Sequence, residues 1–164
     1  MCLPHGCPCG YRGDTRHECH CTERQIQNYR RRISGPLMDR IDIQVDVPHV
    51  AYRDLASRRS GEPSAELRKS VVQARQQQIE RYAGEGFYTN SRMENRHVEE
   101  FCRVESDGQT LLRQAVDALG LSARAYNKVL KIARTIADLA GSESIRSEHV
   151  SEAINYRSLD RALE

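Results

Sequence analysis

Four of the six cysteines in this 164-residue chain fall in one short stretch, CPCGYRGDTRHECHC, as the pairs Cys7-Pro-Cys9 and Cys19-His-Cys21. Two such pairs on the arms of a hairpin offer four soft thiolates, the donor set of a closed structural zinc shell. Gly10 and Gly13 suit the tight turns that a metal knuckle requires, and neighbouring arginines are placed to screen the thiolates. The spacing argues the other way, because zinc ligand pairs are usually separated by two or more residues. His5, His17 and His20 can each substitute for a thiolate. Structural Zn2+ on Cys7, Cys9, Cys19 and Cys21 is the first reading; free thiols in a loop and a redox pair are the alternatives. Cys2 and Cys102 are read as bystanders.

Two arginines offer a different chemistry. Arg40, in SGPLMDRIDI, lies between a short turn and an alternating apolar run, so elements on both sides can hold its guanidinium out from a subunit face. That planar, five-donor group suits phosphate oxygens. The plainer reading is a surface pair with Asp39 or Asp42, which contributes little. Arg124, in LSARAY, falls in the first turn of a helix, where the helix dipole disfavours a cation and attracts an anion. A phosphate at that helix start removes the conflict; a solvated arginine is the alternative.

The elements that position these residues divide the chain in two. Thr22-Glu-Arg-Gln25 reads as a capping box and predicts a helix from Glu23 to about Arg32, broken by Ser34-Gly35-Pro36. Ile41, Ile43, Val45 and Val47 alternate with polar residues and predict a strand. No second strand is evident to pair with it, so the chain is expected to begin partway through a domain whose other strands lie upstream. Residues 51–63 read as a linker. From residue 64 the pattern is helical. A polar helix carries Leu67, Val71, Val72, Ile79 and Tyr82 on its apolar side, and a short segment follows from Glu94 to Cys102. A helix then ends at Gly120, a second one starts after Ser122 with Tyr126, Val129, Leu130, Ala133, Ile136, Ala137 and Ala140 inward, and a last one is capped by Ser147.

Composition narrows the classes. There is no run of eighteen apolar residues and no secretory leader, which places the chain in the cytoplasm by expectation and weighs against disulfides. A formal net charge of +2 is too mild to identify a nucleic-acid binder by itself. Trp is absent and aromatics are 5% of residues, so stacking platforms for single strands are scarce.

Three segments, CPCGYRGDTRHECHC, TERQIQNYRRRISGPLMDRIDIQVDV and LSARAYNKVLKIARTIADLAGSESIRSEHVSEAINYR, resemble in order the C-terminal part of magnesium-chelatase-like AAA+ ATPases of the ComM/YifB competence-protein type. The resemblance implies a mainly α chain. Residues 1–50 would be the tail of an AAA+ α/β core with a Cys-x-Cys knuckle, residues 51–63 a linker, and residues 64–164 the helical lid. It implies that Arg40 is an arginine finger acting on ATP bound to a neighbouring subunit, and that Arg124 is the second sensor contacting nucleotide phosphates. It further implies ATP and Mg2+ as cofactors of the full-length protein, a homo-hexameric ring and action on DNA in recombination during transformation, with no membrane.

The departures matter as much. There is no Gly-x-x-x-x-Gly-Lys-Ser/Thr phosphate loop, no apolar strand ending in acidic residues to hold magnesium, and His5-Gly6 replaces the Asn-Pro that precedes the first Cys-x-Cys in the family. This polypeptide alone is therefore expected to hydrolyse no ATP. The competing class is a non-catalytic zinc-knuckle helical module whose Arg30-Arg31-Arg32 run contacts nucleic acid or a partner protein.

Overall fold

The computed structural model describes residues 7–14, 17–31, 40–45, 47, 50, 56 and 61–157. The chain divides into two compact units, residues 1–59 with 159–164 and residues 60–158. Among the described residues there are six α-helices and one 3-10 turn, and no strand ladder.

In the first unit the capping box forms as the sequence predicts. Thr22 Oγ1 accepts from Gln25 N at 3.3 Å and Gln25 Oε1 accepts from Thr22 N at 2.8 Å, which starts α1 at Glu23–Arg30. The end falls two residues earlier than expected, with Arg31 as the cap. Ile26 is the buried residue of this short helix. The alternating run from Ile41 does not form a strand in its described residues, and Ile43, Val45 and Val47 are exposed. Apolar alternation supplies a face, but a ladder needs a second backbone to satisfy its N–H and C=O groups, and the described residues offer none.

The second unit is a helical bundle: α2 (Ser64–Arg81), the 3-10 turn (Asn90–Arg92), α3 (Asn95–Phe101), α4 (Ser106–Leu119), α5 (Ala123–Leu139) and α6 (Ser147–Asn155). Helix α5 is its axis. Val129, Leu130, Ala133 and Ala137 on one side of α5 pack with Tyr82, Met93, Val98, Leu112, Ile145 and Val150 from all the surrounding elements. Three of these four, Val129, Ala133 and Ala137, are small side chains that let neighbouring helices approach closely. Ser122 Oγ accepts from Ala125 N at 3.2 Å to start α5, and Gly120, at φ 60°, ends α4 in the left-handed conformation that favours glycine. A single parallel bridge between Val104 and Ile145 aligns the starts of α4 and α6, with Glu105 N donating to Ile145 O at 3.1 Å.

Three expectations differ in detail. Leu67, Val71, Val72 and Ile79 of α2 are exposed, and α2 instead buries Ala74 and Gln78, so its inward face is set by a polar contact described below. Tyr126 is exposed at the first turn of α5, beyond the reach of the core. The cap of α6 is Arg146 rather than Ser147, and the backbone N–H of Arg146 donates to His149 Nδ1 at 3.1 Å. The same device recurs at α3, where Glu94 N donates to His97 Nδ1 at 2.9 Å. Among the described residues no helix is long and apolar enough to cross a membrane.

Candidate functional site

The knuckle is built by two tight turns. Gly10, at φ 83°, donates its N–H to Cys7 O at 3.2 Å; Gly13, also at φ 83°, precedes Asp14, whose N–H donates to Tyr11 O at 3.0 Å. Both glycines occupy backbone conformations that a β-carbon would strain. The chain then returns so that Cys19 and Cys21 face the first pair, and Thr22 opens α1 directly after Cys21.

The result brings all four predicted cysteines together: their Sγ atoms lie within 4.8 Å of one another. Cys7 and Cys9 sulfurs are 3.4 Å apart, Cys9 and Cys19 3.6 Å, and Cys7 and Cys19 3.6 Å. All four are free thiols, far outside the ~2.05 Å of a disulfide. Cys7 is buried, Cys9 is exposed, and Cys19 and Cys21 are half-buried. Burial works to raise the Cys7 thiol, but hydrogen bonds from Cys9, from the backbone of Arg12 and from Cys19 outweigh it and bring it down to about 6. One member of the cluster is thus biased towards thiolate, the form that binds metal.

The imidazole alternatives point elsewhere. His17 donates its backbone N–H to Asp14 Oδ1 at 3.3 Å, its ring nitrogen lies 3.6 Å from Asp14 Oδ2, and its ring sits 4.8 Å from that of Tyr11. Among the described residues the metal-capable group consists of the cysteines, and His20 is exposed outside it. His5 and Cys2 lie outside the described residues. Arg12, expected to screen the thiolates, has its guanidinium 3.8 Å from Glu23 of α1.

The two predicted arginines belong to different units. Arg40 is exposed at a turn immediately before Ile41, while Asp39 lies outside the described residues. Arg124 is the second residue of α5 and is exposed in the first turn, next to the N-terminal amides of that helix. That is the position the sequence gives it.

Sequence reasoning missed the buried polar cluster of the second unit. Asp138, 2% exposed, accepts from Arg81 in a two-pronged pair at 2.9 and 2.5 Å, from Arg134 Nε at 3.0 Å, from Asn90 Nδ2 at 2.9 Å and from Gln78 Nε2 at 3.2 Å. Arg134 in turn donates to Glu143 O and Ser142 O at 2.7 and 2.6 Å, pinning the loop before α6. Burial acts to raise the Asp138 carboxyl, yet the hydrogen bonds from Arg81 and Asn90 and the charge of Arg134 hold it below the usual carboxylate range. For Arg134 burial wins and lowers it. The legible trace was an acid at position 138 between Ala137 and Leu139, four residues after an arginine on an otherwise apolar face. Beside the cluster lies an open cavity of about 590 Å³, edged by Arg81, Arg103, Arg134 and Arg146 but also by Glu100 and Glu143. Its rim carries four arginines against two glutamates, and two of those arginines, Arg81 and Arg134, are already paired with Asp138.

Residues 61–157 match the family described as magnesium chelatase, subunit ChlI C-terminal, and residues 3–55 match magnesium chelatase, subunit ChlI. Among curated proteins the chain is similar to the competence protein ComM of Haemophilus influenzae, 38% identical over 141 residues, which cover 85% of this chain and 27% of the relative. It is also similar to the uncharacterized protein YifB of Salmonella typhimurium, 37% identical over 144 residues, and to the uncharacterized protein YifB of Escherichia coli, 36% identical over 144 residues, each match covering 87% of this chain and 28% of the relative. The chain therefore spans less than a third of the length of these relatives.

Proposed function

The chain belongs to the magnesium chelatase subunit ChlI family, and from that premise we propose that it is the C-terminal portion of a ComM-type AAA+ ATPase, contributing two phosphate-facing arginines to a nucleotide site that it does not itself complete. Residues 1–50 are then the end of the α/β core and residues 64–164 the lid. What carries this reading is the order of matches along the chain: the ChlI family over 3–55, which includes Arg40, and its C-terminal family over 61–157, which includes Arg124.

The residues in hand suit those roles. Arg124 places a cation within the first turn of α5, where free backbone N–H groups and the positive end of the helix dipole already favour an anion. A phosphoryl oxygen at that position removes the unfavourable encounter between guanidinium and dipole. Arg40 is exposed, and a guanidinium brought in from a neighbouring subunit supplies charge to a transferring phosphoryl group. Mg2+ and the ATP itself would be held by a phosphate loop and acidic strand end that this chain lacks. The assembly is a homo-hexameric ring in the cytoplasm, acting on DNA during transformation.

The test is a chimera in which this chain replaces the matching portion of the Haemophilus relative. The chimera hydrolyses ATP, Arg124→Ala lowers the rate at least tenfold, and Arg40→Ala lowers it by about 10³-fold, the lower end for an arginine finger. An active chimera indifferent to both substitutions refutes the assignment.

A further inference from the structure

The four thiols of the hairpin carry an inference independent of nucleotide chemistry. A tetrahedral ion with bonds of about 2.3 Å to sulfur has ligand–ligand edges of about 3.8 Å. The three close sulfur separations here, 3.4, 3.6 and 3.6 Å, fall just inside that edge, and the fourth sulfur lies within 4.8 Å of the others. A free loop has no reason to gather four thiols at this distance, because each gains only weak S–H hydrogen bonds while their thiolates repel. Two disulfides would draw pairs to ~2 Å and leave the pairs unconstrained relative to each other.

We infer that Cys7, Cys9, Cys19 and Cys21 bind one Zn2+ as a closed tetrathiolate, and that this ion is what folds the first unit's hairpin and docks it against the start of α1. Tetrahedral sulfur coordination selects zinc or iron among common metals. With four protein ligands no position is left for water, so the ion is structural. The short Cys-x-Cys spacing works because the hairpin, rather than either pair alone, sets the geometry: each pair contributes one edge and the turns at Gly10 and Gly13 bring the edges face to face. Arg12 is directed to Glu23, and a bound cation offsets the charge of four thiolates. The dependence is also spatially confined. Capping of α1 begins at Thr22, one residue after the last ligand, whereas the core of the second unit is built wholly from residues 82–153.

The experiment uses the full chain, purified reduced and stripped of metal, titrated with Co2+ and then Zn2+, with elemental analysis of the chain as isolated. The expected result is one equivalent of zinc as isolated. Co2+ should give visible bands of a tetrahedral tetrathiolate that saturate at one equivalent and vanish when zinc is added. Cys102→Ser keeps both, and replacing the four cysteines by Ser abolishes both. Adding a chelator to the unmutated chain lowers helicity by the share of α1 alone and leaves the thermal transition of the second unit in place. Iron instead of zinc, cobalt bands that survive in the four-serine variant, or stoichiometric zinc carried by Cys102 would each overturn the assignment. So would a chain that binds no metal while its second unit melts cooperatively.

Discussion

Replacing Asp138 by Asn keeps volume and one acceptor but removes the charge that neutralises Arg81 and Arg134. Arg134 is 3% exposed, so its guanidinium would remain buried without a counter-ion. Breaking a buried pair from one side costs about 3–5 kcal/mol, against a total stability of about 5–15 kcal/mol for a domain. In a helical unit of this size, a loss of 1 kcal/mol lowers Tm by about 4–8 °C, so Asp138→Asn should lower it by upwards of about 12 °C. The pH dependence supplies a sign. Because Asp138 is held below the ordinary carboxylate value in the fold, its stabilisation is complete above the unfolded value, about 3.9, and is lost as pH falls through the folded one. The variant should therefore show a flatter loss of stability below about pH 4. Urea unfolding followed by circular dichroism between pH 3 and pH 7 reads both effects. A variant within about 1 kcal/mol of the parent at pH 7, with an unchanged acid limb, refutes the view that this cluster holds the bundle together.

Further outcomes follow from other contacts. Gly108→Ala should destabilise by about 1–3 kcal/mol in the same urea assay, because its β-carbon would sit 2.6 Å from Val104 Cγ1 and 3.4 Å from Val150 Cγ2; helix propensity alone predicts a gain of up to about 1 kcal/mol. Leu67→Gln and Val72→Gln on α2 should change stability by less than about 0.5 kcal/mol, since both side chains are exposed, and a larger loss would mean that they are covered. Burial pushes the Cys102 thiol up to about 12, so in the native chain at pH 8 iodoacetamide should modify it only after unfolding, as mass spectrometry of the digested chain would show.

Many of the helix boundaries were legible because caps and periodicity agree: Thr22 in the first unit, and Gly120 and Ser122 in the second, mark ends that the structure keeps. The side of α2 that faces inward was not legible, because Gln78 is drawn in by Asp138, sixty residues away, and a long-range polar contact leaves no local period. The run at Ile41 reads as a strand from its alternation, yet alternation specifies a face and not a partner. The four cysteines were legible as a cluster, while the sulfur separations, which exclude disulfides and carry the proposal of a metal, were not. Ser122 already places Arg124 at a helix start, and the structure keeps it there; the turn at Arg40 leaves that side chain exposed, and its proposed role depends on a neighbouring subunit.

That dependence offers the most direct test of the proposed function. Chimeric subunits carrying Arg40→Ala, with an intact phosphate loop, are mixed with chimeric subunits that keep Arg40 but have a disabled phosphate loop, and phosphate release is measured against each alone. An arginine acting on the neighbour's ATP predicts recovery in the mixture well above the sum of the two separate rates. Rates that merely add would contradict it and return Arg40 to the role of a solvated surface residue.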